Sequence, residues 1–181
     1  MLESFEPFIA YWQALRGTEM LPRREDFHPV EVKDFMGRIA IVERLSTSHF
    51  QVRLVGTEIV ERLGHDHTGE DFLSLLDGPE DRATRLAMFN AMLDHPMGMW
   101  GKREIITDKG TYLAYFLQLP ISHQVSHAGE FFNVFDFDQS LMAIAGTNFT
   151  RFGKLVSFGL IDLDAGVPEA YRELEVTVLA H

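Results

Sequence analysis

Residues 56–82 read GTEIVERLGHDHTGEDFLSLLDGPEDR, and the punctuation of this stretch decides the fold. Thr57 is a good helix opener and Gly64 a good closer, so TEIVERL is predicted as a short helix. Gly69 marks a second turn, followed by the short apolar segment DFLSLL. Pro79 then suits the first turn of a longer helix, where its missing N–H is not needed. Glu80 and Asp81 complement the positive end of that helix's dipole. The helix is expected over Pro79–Leu93, with Leu86, Phe89 and Leu93 as its buried stripe and Pro96 just past its end.

On the N-terminal side, residues 4–16 place Phe5, Phe8, Ile9, Trp12 and Leu15 on one helical face, between Ser4 as a cap and Gly17 as a stop. Pro29 opens a short helix towards Phe35. RIAIVERL (38–45) and HFQVRLVG (49–56) are predicted to pair as an antiparallel hairpin across Ser46–Ser48. Beyond Pro96, GMWGKREIIT, TYLAYFLQLPIS and EFFNVFDFD read as three longer strands. Asp108–Gly110 is a tight turn between the first two, and a looser Gly- and Ser-containing loop joins the last two. Residues 139–181 hold one further strand, LVSFGLIDLD, and a tail of ambiguous pattern. Two strands, a helical crossover and three strands predict an α+β fold, a five-stranded antiparallel sheet with helices on one face. The organisation expected is an N-terminal amphipathic helix and loop (1–28), a core (29–138) and a C-terminal extension (139–181).

Composition removes several classes of chemistry. The chain has 181 residues, 46% of them hydrophobic, enough for a core without covalent staples. It has no cysteine, so disulfides, thiolate metal sites, iron–sulfur clusters and cysteine nucleophiles are excluded. Sixteen Lys and Arg face 27 Asp and Glu, a formal charge of −11, and basic residues adjoin only at Arg23–Arg24 and Lys102–Arg103. The cation clusters that grip a phosphate backbone are missing, so nucleic acid is not an expected partner. MLESFEPF has no basic n-region, and the longest uncharged stretch, Gly110–Gly129, carries Gln, Pro, Ser and His. No signal peptide and no membrane span are read, and a cytoplasmic protein is expected. No nucleophile elbow, phosphate loop, dinucleotide fingerprint or zinc-protease helix is present, so the chain is not read as an enzyme.

With Gly64, Gly69, Phe72–Leu76 and Pro79–Arg82 in this order, the opening stretch resembles the signature of PAS sensor domains. YWQALRG (11–17), LPRRED (21–26), RLVGTEIVERLG (53–64), the Asp66-x-Thr68-Gly69 step and LQLPIS (117–122) are similar to a bacterial subfamily of stand-alone PAS-like proteins. The resemblance covers residues 5–138. It implies a signalling domain that takes a small organic ligand between sheet and helices, or a constitutive dimeric adaptor whose pocket its own side chains fill. The 43 residues after Asp138 are too few for a catalytic or DNA-binding effector, so output through a protein partner is expected.

The resemblance leaves the cofactor unassigned. His95 stands where some PAS domains carry a haem ligand, but His95-Pro96 reads as helix termination with a dipole partner. Flavin photochemistry of the light-sensing kind needs a cysteine, so a colourless protein is expected. His65, Asp66 and His67 are good metal-ligand types, yet they lie in a loop without an evident third donor. Asp66 and Thr68 are explained as caps of local backbone groups, and no metal site is predicted.

Arg53, Trp100, Tyr115 and Asn133 are the candidate ligand-binding residues, each placing hydrogen-bonding capacity in an otherwise apolar strand around a pocket against the 79–93 helix. Alternation puts Asn133 on one face with Phe131, Phe135 and Phe137. Arg53 needs an anion, either a ligand or an internal carboxylate such as Asp26 or Asp66. Phe5, Phe8, Trp12 and Leu15 are the candidate homodimer interface, because their stripe must be covered; the alternative is that the helix folds back on its own sheet.

Overall fold

Strand alternation sends apolar side chains to both faces of one sheet, and a different set of helices closes each face. The computed structural model describes residues 2–122, 129–137 and 146–179. In chain order the elements are α1 (Glu6–Arg16), α2 (Lys33–Met36), β1 (Ile39–Ser46), β2 (His49–Val55), α3 (Thr57–Leu63), α4 (Gly78–Asp94), β3 (Met97–Thr107), β4 (Gly110–Ile121), β5 (Glu130–Phe137), β6 (Phe149–Asp162) and β7 (Val176–Val178). A 3-10 turn at Phe72–Leu75 leads into α4. The loop after Ser122 and the boundary at Asp138 fall mostly outside the described residues.

The α+β reading holds, with two corrections. The sheet has seven strands in the order β2-β1-β5-β4-β3-β6-β7, antiparallel except for the parallel β6–β7 pair. β6 starts at Phe149 rather than Leu155 because it pairs along almost the whole of β3, and that pairing overrides its Gly- and charge-rich start. Helices also cover both faces. Ala40, Val42, Phe116, Phe131 and Phe135 pack with α3 and α4, whereas Ile39, Ile41, Leu117, Leu119, Phe132 and Val134 pack with α1.

The α1 face is where the expected dimer stripe goes. Phe5, Phe8 and Trp12 are almost fully buried within the chain, and Leu15 packs at the margin of the same core. Phe8 meets Phe132 edge-on at 5.4 Å, and the Trp12 indole N–H donates to the Pro120 carbonyl at 3.0 Å. Assigning this stripe to a dimer interface is therefore corrected: periodicity shows that a face must be covered, and here the chain's own sheet covers it.

Candidate functional site

The opposite face carries the chemistry. α4 buries Arg85, Met88, Phe89 and Met92, spaced i, i+3, i+4 and i+7; of the expected stripe Phe89 is among them, and Leu86 and Leu93 pack at its margin. Its axis is thus rotated so that an arginine points at the sheet. Opposite it, Met99 and Arg103 on β3, Phe116 and Gln118 on β4, and Asn133 on β5 extend the same wall. Gln118 pairs with Asn133 in the β4–β5 ladder, and its amide N–H donates to Asn133 Oδ1 at 3.4 Å.

Two guanidiniums share this interior with one carboxylate. Arg103 Nη2 lies 3.3 Å from Asp81 Oδ2, in the first turn of α4, and donates to the Gly153 carbonyl at 2.7 Å. That carbonyl is available because the β3–β6 register shifts between Arg103 and Ile105. Arg85 is 3% exposed and has no carboxylate within ion-pair distance among the described residues. Its Nη1 reaches only the Met99 sulfur at 3.5 Å, a weak acceptor, and its guanidinium lies over the Phe116 and Phe89 rings.

Three buried polar atoms here have no hydrogen-bond partner among the described residues: Arg85 Nη2, Arg103 Nε and Gln118 Oε1. Burial pushes Arg85 down to about 9; the Arg103 charge adds to this and Asp81 opposes it. Burial likewise pushes Arg103 down to about 10, with the Asp81 ion pair working the other way. A buried cation without a matching anion is expensive, and packing alone does not call for it. An entering carboxylate would meet donors already pointed inward.

The space around these groups is nearly closed. Between Arg103, Gln118 and Asn133 there is no room for a water molecule. Phe72 and Phe135 separate that point from an apolar cavity of about 20 Å³, lined by Ala40, Val52, Ile59, Leu75 and His67 among others. Outside, Asp81 sits on the wall of an open depression of about 650 Å³ bounded by Asp77–Asp81 and Gly153–Leu155.

Of the four predicted ligand residues, Asn133 alone lies on this face. Arg53 is half-exposed and pairs with Glu43, its Nη1 donating to Gln51 Oε1 at 2.8 Å. The partner is neither Asp26 nor Asp66, and the residue lies outside the pocket because it is the extra residue of a bulge. The ladder passes from Val42↔Val52 to Ile41↔Leu54. Trp100 and Tyr115 are on the α1 face. The indole of Trp100 lies across Gly159, where a Cβ would sit 2.7 Å from its ring atoms, and Lys102 Nζ stands 5.0 Å over the Tyr115 ring. The polar residues that do face α4, Arg103 and Gln118, are each displaced by three positions from these choices and so have the opposite parity. Arg85 was legible in the i, i+3, i+4, i+7 spacing with Met88, Phe89 and Met92.

The strand order and the helical crossover from β2 to β3 define an α+β sheet-and-helix domain with a polar point inside its core. The PAS domain family model matches residues 2–132, and the chain belongs to the PAS-domain family. Membership places it among sensory and signalling domains, which are generally non-catalytic. The match ends in β5, so β6 and β7 lie beyond it. No curated protein matches the chain. Among the described residues, no helix is long and apolar enough to cross a membrane.

Proposed function

We propose that this PAS domain senses a small organic anion held between α4 and the sheet and passes its occupancy to a protein partner, without catalysing a reaction. The observation that carries the reading is Arg85, a buried guanidinium with no carboxylate in ion-pair distance among the described residues, beside Arg103, which pairs with Asp81. A ligand carboxylate at Arg85 and Arg103 gains charge-assisted, geometrically specific hydrogen bonds, with Gln118 available for a further one. The ligand's apolar part then extends past Phe72 and Phe135 into the cavity under Ala40, Val52 and Ile59. Entry is by the depression beside Asp81, and making room displaces the first turns of α4. That displacement is what a partner reads.

The test is native mass spectrometry of gently purified protein, followed by thermal shifts with a panel of aliphatic and aromatic carboxylates. A carboxylate that co-purifies, or that raises the melting temperature of wild type but not of Arg85→Met, supports the reading. Bare polypeptide, together with identical responses of wild type and variant, sinks it. The constitutive adaptor is favoured by one observation, an apolar cavity of about 20 Å³, room for no more than about one water-sized group. A homodimer in either reading forms through a surface other than the α1 stripe, and sedimentation equilibrium decides whether it forms.

A further inference from the structure

We propose that His65, His67 and Glu70 form a binding site for one zinc-class divalent cation, independent of the anion reading. The three lie in the loop between α3 and the 3-10 turn at Phe72–Leu75, and the fold supplies the third donor that sequence spacing did not reveal. Glu70 reaches back so that Oε1 is 3.0 Å from His65 Nε2 and Oε2 is 3.2 Å from His67 Nδ1. All three donor atoms lie within 4.8 Å of one another. A tetrahedral ion with ligand bonds of about 2.0–2.1 Å sets its ligands about 3.3 Å apart, so small side-chain movements admit it.

The loop backbone is fixed independently of any ion. Gly69 N–H donates to Val52 O at 2.8 Å, Val52 N–H to Glu70 O at 2.9 Å, and Glu70 N–H to His67 O at 3.1 Å. Gly64, which closes α3 at φ 74°, brings the loop so near Thr147 that a Cβ would stand 2.3 Å from its carbonyl oxygen. Asp66 is occupied with the Thr68 N–H and hydroxyl, at 3.0 and 2.7 Å, and is not a ligand.

Each donor has a defined role. His67 Nε2 is buried on the cavity side, which leaves Nδ1 as the ligating atom. The His65 side chain is 61% exposed, so a coordination position stays open to water. Two imidazoles and one carboxylate suit zinc and its neighbours, not calcium or magnesium, which take oxygen ligands. Because His67 also lines the apolar cavity and meets Phe149 edge-on at 5.0 Å, a bound cation stiffens one wall of that cavity.

The test is titration calorimetry of the full chain, stripped with chelator, using zinc chloride and magnesium chloride. Cobalt is added in parallel to look for the visible band of a tetrahedral site. The expected result is one saturable zinc equivalent per chain, no magnesium binding, and at least a tenfold loss of affinity in His65→Ala and in Glu70→Gln. A His49→Ala control is expected to match wild type, and circular dichroism checks that the exposed His65→Ala variant is folded. No saturable zinc binding by wild type, or equal affinity in wild type and both variants, overturns the site.

Discussion

The same strands build two faces of the sheet, and the faces differ in how they treat polar groups. On the α1 face the indole N–H of Trp12 is closed onto Pro120, and the buried carboxylates at the β1–β5 edge each have an arginine, Arg53 for Glu43 and Arg24 for Glu130. On the α4 face, Arg85 faces a sulfur and two aromatic rings, and Arg103 holds Asp81, the one carboxylate there among the described residues. The first face sets a cation against each of these charges. The second keeps a charge that a methionine or leucine would replace at lower free energy, and such local inconsistency is what binding sites exhibit.

The largest effect is expected on the α1 face. Trp12→Ala removes a fully buried indole and its hydrogen bond and should cost about 3–5 kcal/mol in denaturant unfolding. It should leave any carboxylate response unchanged. A cost below about 1 kcal/mol would mean that α1 is detachable and its stripe free for a partner.

Arg85→Met should do the opposite. Replacing the buried cation with an apolar side chain should raise the stability of the unliganded protein by about 1–4 kcal/mol near neutral pH. The sign of the pH dependence follows from the depressed Arg85 value. Above about 9 the folded state gives up the proton while the unfolded chain keeps it, so wild type gains stability as pH rises through that region. The variant lacks the Arg85 contribution and keeps only that of Arg103, pushed down to about 10, so its advantage should shrink there. Unfolding curves on both sides of pH 9 check this, and a destabilised variant would make Arg85 part of an ordinary core.

Arg53→Met is expected to cost about 1–3 kcal/mol, because the arginine is half-exposed but its loss leaves the buried Glu43 carboxylate without its cation. It should not alter ligand response. Smallest of all is Arg151→Ala, which breaks a surface pair with Asp77 in which both side chains are 40–50% exposed. The expected loss is under about 0.5 kcal/mol by thermal melt, and a larger one would show that β6 anchors the start of α4 through this contact.

Local signals carried most of the scaffold. Thr57 and Gly64 bounded α3, Pro79 marked the start of α4, and alternation grouped Asn133 with Phe131 and Phe135, all because helix caps and strand pleats depend on neighbours in sequence. What covers a face depends on distant partners. Alternation says which residues share a side of β3 or β4 but not which side meets α4, so Trp100 and Tyr115 were read for Arg103 and Gln118. One bulge residue set Arg53 outward, and the β3–β6 pairing made a strand of residues 149–154. Sequence by itself determined the α+β order, the absence of thiol chemistry and the amphipathic stripe of α1. Tertiary structure decided that this stripe closes on its own sheet and that Arg85 turns inward with no carboxylate in reach among the described residues, because each outcome depends on packing between segments far apart in sequence; Glu70 meets His65 and His67 within its own loop, through a turn that the sequence pattern did not show.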